Sequence, residues 1–147
     1  PAEETFKPMF FLTREPDMAL IDAVRMLAGE YDVRFLTAVY PLEHSRREKA
    51  AWLKNNGLSH IPVIYVPYGE DKSDYIENDG VSFLVDDYTK NLMEWTENPS
   101  HYGIKYLNGF NHTKGTWNGF MISHKMSAYA ISETIKGIVD RMVSHAA

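Results

Sequence analysis

Ser82-Phe83-Leu84-Val85-Asp86-Asp87-Tyr88-Thr89-Lys90-Asn91-Leu92 runs from a short apolar stretch into two adjacent carboxylates and then into a helical pattern. Apolar runs of this length, bounded so abruptly, are expected to be strands buried on both faces of a sheet. In open α/β sheets, ligands sit at the carboxyl ends of such strands. Two acidic groups at that point repel each other unless a cation or a shared proton holds them. A hard cation such as Mg²⁺ takes one or two carboxylates and keeps several waters. One reading of Asp86 and Asp87 is therefore a metal site for phosphate chemistry. The other is that Asp86 caps the next helix and Asp87 is a solvated turn residue. The residue types alone leave the two readings level.

Working outward, the chain reads as strands alternating with helices. Met9-Phe10-Phe11-Leu12 is an apolar patch, either a brief strand or a packed loop. Glu15-Pro16-Asp17 starts a helix, because proline tolerates the first turn and acidic groups favour that end. Leu20, Ile21, Val24, Leu27 and Ala28 bury one face of that helix, and Gly29 stops it. Val33 to Val39 is the next strand. Glu43 to Asn56 is a helix ended by Gly57, with Trp52 and Leu53 facing the core. Pro62 to Pro67 is a strand bracketed by prolines, and Tyr68 to Gly80 is polar, with a short helix and a turn. Thr89 to Trp95 is a helix broken by Asn98-Pro99-Ser100. Gly103 to Leu107 reads as a last parallel strand, Phe120-Met121-Ile122 as a terminal strand or packed segment. Ser127 to His145 carries the clearest amphipathic stripe, Ile131, Ile135, Ile138 and Met142. Such alternation predicts an α/β fold, a Rossmann-like three-layer sandwich around a mainly parallel sheet.

The composition sets outer limits. A chain of 147 residues suits one domain, and 44% hydrophobic residues support a packed core. The net charge of -5, with no basic stripe, argues against a nucleic-acid polymer as partner. Without cysteine there is neither a disulfide framework nor a thiolate metal site. No apolar run is long enough to span a bilayer and no signal-peptide pattern opens the sequence, so a cytoplasmic protein away from membranes is expected. The six histidines, at 44, 60, 101, 112, 124 and 145, lack close metal-ligand spacing. Trp52, Trp95 and Trp117 are expected to be core anchors rather than base-stacking platforms.

Four further residues stand where an anion or its substrate could be held. Thr37 lies near the carboxyl end of the strand before the loop Tyr40-Pro41-Leu42; its hydroxyl and backbone N–H could hold a phosphate oxygen, or it could be a β-branched residue doing ordinary strand work. Lys49 on the following helix could neutralise phosphate charge. Tyr40 and His44, in the loop after Thr37, are candidates for substrate contact.

Thr37, Lys49 and the Asp86-Asp87 pair, in that order, resemble the second, third and fourth motifs of haloacid-dehalogenase-like (HAD-like) phosphohydrolases. The likeness is nearest to the 5′(3′)-deoxyribonucleotidase branch, which has a similar Phe-Phe entry, as in Phe10 to Pro16, and a Glu-Lys followed by tryptophan, as in Glu48-Lys49-Ala50-Ala51-Trp52. It covers roughly Phe10 to Leu92. The resemblance implies a Mg²⁺-dependent phosphomonoester hydrolase of the 5′-nucleotidase type. Asp86 and Asp87 would bind the metal. Thr37 and Lys49 would serve catalysis, and Thr37, Ala38, Tyr40, His44 and Lys49 would contact a small phosphorylated substrate such as a nucleoside monophosphate.

The family's first motif, Asp-x-Asp, supplies the nucleophile and the acid/base. It is absent here, since Asp17, Asp22 and Asp32 do not follow an apolar strand. The expected fold is therefore a HAD-like core over residues 1–147 with the first-motif strand and the cap missing, incomplete on its amino-terminal side. A missing central strand would leave two unpaired edges. The gap would be explained by a lost amino-terminal segment, by another chain (a homo-oligomer among them) or by Met9–Leu12, or by an inactive relative with a rearranged sheet. The first is the favoured expectation, with no turnover from this chain alone. A non-catalytic phosphate- or metal-binding module, and a purely structural or assembly domain, are the other two functional readings.

Overall fold

Val33 and Phe35, and Phe83 and Val85, are apolar and buried, and so are Leu36, next to Phe35, and Leu84, between Phe83 and Val85. Strands apolar on both sides must be covered on both sides, which forces helices onto each face. The computed structural model describes residues 9–12, 18–39, 43–76, 80–108, 111 and 115–146. Its elements are β1 (Met9–Leu12), α1 (Met18–Ala28), β2 (Asp32–Val39), α2 (Glu43–Asn55), β3 (Val63–Pro67), a 3₁₀ turn (Lys72–Tyr75), β4 (Ser82–Asp86), α3 (Thr89–Trp95), β5 (His101–Leu107), β6 (Phe120–Ser123) and α4 (Ala128–Ala146). The strands form one six-stranded sheet in the order β3-β2-β1-β4-β5-β6. Every pairing is parallel. The fold is α/β around a parallel sheet.

The expectation of a missing central strand is corrected by β1. It lies between β2 and β4, with Leu12 opposite Phe35 on one side and Val85 on the other. Both inner edges are thereby satisfied by four residues that the sequence left between strand and packed loop. Such a short run carries too little periodicity to decide, and pairing on two sides does decide it. Five residues separate β1 from α1, so nothing the size of a cap is inserted there. The predicted helix start at Glu15-Pro16-Asp17 lies outside the described residues.

One face is covered by α1, α4 and the inward side of α2. Leu20, Val24 and Leu27 of α1 and Ile131, Ile135 and Val139 of α4 pack with Val33, Phe35, Phe83, Val85 and Ile104, and Leu53 of α2 joins them. Each such fully buried aliphatic contributes about 1.5–3 kcal/mol relative to exposure. The opposite face is smaller: Leu92 and Trp95 of α3, with Trp117, cover Leu36, Val66 and Leu84. Gly57 closes α2 with φ of 69°, and the Leu58 N–H donates to Leu53 O at 2.8 Å. That left-handed cap brings Leu58 back into the core. At one sheet edge β3 is bracketed by Pro62 and Pro67, which lack N–H donors and discourage further pairing. Among the described residues no helix is long and apolar enough to cross a membrane.

One strand starts earlier than the sequence reading has it, and one open reading is decided. The fifth strand begins at His101 rather than Gly103, since its first residues pair with Ser82 and Phe83. Phe120 to Ser123 is a strand, parallel to β5.

Candidate functional site

β4 is buried along its whole length, and its last residue is Asp86, 3% exposed. A carboxylate in that position needs donors. It has them: Oδ1 accepts the Tyr88 N–H at 2.9 Å, and Oδ2 accepts from Asn91 Nδ2 at 2.8 Å. The first bond closes the turn from β4 into α3, whose capping residue Tyr88 makes no side-chain cap of its own. Burial pushes the Asp86 carboxyl up to about 6, against the Tyr88 N–H, the Lys72 charge and the Asn91 amide, which all favour the anion. Part of the simpler reading of this pair thus holds, because Asp86 does organise the strand-to-helix turn.

Asp87 is half-buried in the bend after β4 and is held by hydrogen bonds. Its Oδ2 accepts from Asn108 Nδ2 at 3.1 Å, and its carbonyl accepts from Asn111 Nδ2 at 2.6 Å. Asn108 and Asn111 bind each other's backbone N–H groups, at 2.6 and 3.0 Å. Asp87 therefore fastens the chain leaving β5 to the end of β4.

Two lysines are buried at the same rim. Lys105 is 4% exposed; it stands opposite Asp86 in the β4–β5 register, and its Nζ donates to Thr89 Oγ1 at 2.7 Å. Lys72, in the 3₁₀ turn, is 8% exposed and its charge acts on Asp86. Lys72 and Asn91 also line a cleft of about 320 Å³, together with Ala38, Tyr68 and Tyr88. Tyr68 and Tyr88 stand at its walls, 65% and 58% exposed. Lys90 at its margin is paired with Glu94 at 3.0 Å.

The predicted residues divide between the two sheet faces. Side chains alternate along a strand, so Thr37 shares its side with Phe35, and Asp86 shares its side with Leu84. Phe35 and Leu84 belong to the clusters on opposite faces. Thr37 is buried at the end of β2. It lies two strand spacings from β4, about 9–10 Å. Lys49 is half-buried in α2, which packs on the Phe35 side through Trp52 and Leu53. Lys72 is a lysine whose charge acts on Asp86; Lys49, expected to neutralise phosphate charge, stands on α2. Ala38 lines the cleft. Tyr40 lies outside the described residues; His44 falls within α2, with its side chain outside them.

No family model matches the chain, nor does any curated protein or solved structure. Its site must be judged by its own chemistry.

The donor set fits a divalent cation poorly. Both Asp86 oxygens and one Asp87 oxygen already accept N–H groups, and the Lys72 ammonium acts on Asp86. Among the described residues no three acidic, histidine or cysteine side chains converge. The rim also presents donors, the ammonium groups of Lys72 and Lys105 and the amides of Asn91, Asn108 and Asn111, beside the carboxylates of Asp86 and Asp87 and of Glu70 and Glu94 in the cleft lining; those donors suit an anion.

Sequence reasoning missed Lys72, Asn91, Lys105, Asn108 and Asn111. Lys105 had a signal: a lysine inside an apolar strand pattern, two residues from Gly103, must be paired or solvated. Lys72 had none, since it sits in a polar run where lysines are commonplace.

Proposed function

We propose that this chain is a HAD-like domain that holds a small phosphorylated molecule at the carboxyl ends of its central strands and does not hydrolyse it. One observation carries the reading. β1 takes the place between β2 and β4 that the family's first-motif strand occupies, and Leu12 is level with Val85. The residue after Val85 is Asp86, the fourth-motif aspartate of the resemblance. The residue after Leu12, where the family carries its nucleophilic aspartate, is Thr13, and the Asp-x-Asp position reads Thr13-Arg14-Glu15. A carboxylate nucleophile is what splits phosphoryl transfer into two accessible steps, and Thr13 supplies no carboxylate. Electrostatic holding of the phosphoryl group remains available through the lysines and amides of the rim. The binding module thus takes precedence over the 5′-nucleotidase reading, and over Mg²⁺ at Asp86 and Asp87, whose donor set fits poorly.

The test has two arms. The whole chain, assayed with nucleoside monophosphates and Mg²⁺, is expected to release no phosphate above the buffer rate. Calorimetric titration with inorganic phosphate in the presence of Mg²⁺ is expected to show binding. Turnover abolished by Asp86→Ala would overturn the non-catalytic reading. Absence of phosphate binding would favour an assembly domain instead.

A further inference from the structure

The cleft beside α3 has the parts of a ligand site, and a fixed cation is one of them. Lysine is rarely buried, because its ammonium loses hydration that only a partner or an anion restores. Lys72 is 8% exposed, yet it lines a cleft of about 320 Å³. That volume lies at the small end of the range for organic-ligand pockets. The neighbouring carboxylate, Asp86, is itself buried and already accepts two N–H donors. One of these comes from Asn91, which lines the same cleft. The walls are Tyr68 and Tyr88, two large side chains left 65% and 58% exposed. Tyrosines in that setting offer flat apolar contact area at low cost in side-chain entropy.

We propose that this cleft binds a small organic phosphate without any divalent cation, the Lys72 ammonium standing in the role a metal would otherwise fill. The inference rests on the phosphate-binding reading above and adds to it the place, the counter-charge and the independence from metal. The phosphate end lies toward Lys72 and the Asn91 amide, and the organic body lies between Tyr68 and Tyr88. A divalent cation brought to Asp86 would be repelled by the Lys72 charge, which acts on that buried carboxyl. Glu70 and Glu94 also line the cleft, Glu94 paired with Lys90 at 3.0 Å; an anion placed at Lys72 meets a cation held in place before it arrives, so little ordering is needed on binding.

The experiment is a calorimetric titration of the whole chain with phenyl phosphate, run once in excess EDTA and once in Mg²⁺, on the wild type, Lys72→Met and Lys49→Met. The expected result is the same affinity in EDTA and in Mg²⁺, weakened about tenfold or more by Lys72→Met and unchanged by Lys49→Met. A wild-type amide NMR titration in EDTA gives a readout that no variant can disturb by misfolding. Its shifts are expected at Ala38, Tyr68, Lys72, Tyr88 and Asn91. Binding that requires Mg²⁺ would overturn this inference and leave the phosphate-binding reading standing. Shifts confined to residues outside the cleft, or affinity insensitive to Lys72→Met in a folded variant, would overturn the placement alone. Failure to bind in either buffer would overturn both.

Discussion

Titrating the wild-type chain in a chelating buffer from pH 3.8 to above pH 6 is expected to remove about 3 kcal/mol of stability through Asp86 alone, and Asp86→Asn is expected to abolish that loss. The sign follows from proton counting. In the unfolded chain the carboxyl titrates at its ordinary value of 3.8; in the fold burial moves it to about 6. Between those values the native state binds more protons than the unfolded state, so stability falls as pH rises. The contribution is fully present below the unfolded value and is gone above the folded one. This is opposite to the usual behaviour of a paired aspartate, because desolvation outweighs the Lys72 charge and the two hydrogen bonds. Asparagine keeps the geometry: its Oδ1 can accept the Tyr88 N–H, and the Asn91 amide can turn to present its oxygen to the new donor. Lys72 is common to both proteins, so its own cost cancels in the comparison. Denaturant unfolding of the two proteins at stepped pH measures the effect. The stability difference between variant and wild type should shift by about 3 kcal/mol in favour of the variant between the acid end and pH 7. A difference that stays flat would mean the Asp86 carboxyl titrates as if in water.

Trp117→Ala is expected to cost about 3–5 kcal/mol, the usual range for deleting a buried indole. The ring is 6% exposed, anchors the smaller cluster with Leu36, Leu84, Leu92 and Trp95, and donates from Nε1 to Phe120 O at 2.9 Å. It lies flush against two glycines. A Cβ at Gly103 would come within 2.9 Å of Trp117 Cη2 and 3.0 Å of Leu92 Cδ2; a Cβ at Gly119 would collide with the same indole. Gly103→Ala should therefore cost about 1–3 kcal/mol, since Leu92 and Trp117 are both buried and have nowhere to move. Combining the two substitutions should cost less than their sum, because the new methyl enters the space the indole leaves. A double-mutant cycle by denaturant unfolding checks this, and strict additivity would show that the ring does not rest on Gly103. The rim is coupled to this packing. The segment between β5 and β6 that carries Trp117 also carries Asn108 and Asn111, which hold Asp87, so loosening the indole should loosen the rim.

Much of the scaffold could be read from residue order. Thr89 to Trp95 is a helix at the predicted bounds, and the amphipathic stripe of Ile131, Ile135 and Ile138 faces the core. Local periodicity reports which side of an element is buried, and these elements are long or regular enough to show it. Met9–Leu12 is too short for that. Its identity as the central strand rests on pairing with residues more than twenty positions away, which no local pattern encodes.

The rim divides in the same manner. Asp86 stands out in sequence because a carboxylate directly after an apolar run is costly to bury and so draws attention. Thr37 and Lys49 follow in the expected order, yet strand alternation turns Thr37 to the face opposite Asp86, and α2 lies on that same far side. Lys72, unremarkable in a polar run, is brought under the cleft by the crossover from β3 to β4. Residue types and spacing therefore specified the layers, the parallel sheet and one buried carboxylate, because those depend on the burial preference of each short segment. Which lysine acts on that carboxylate, and which strand fills the centre, depended on the folded chain, because both are contacts between segments remote in sequence, where distance and facing rather than composition set the energy.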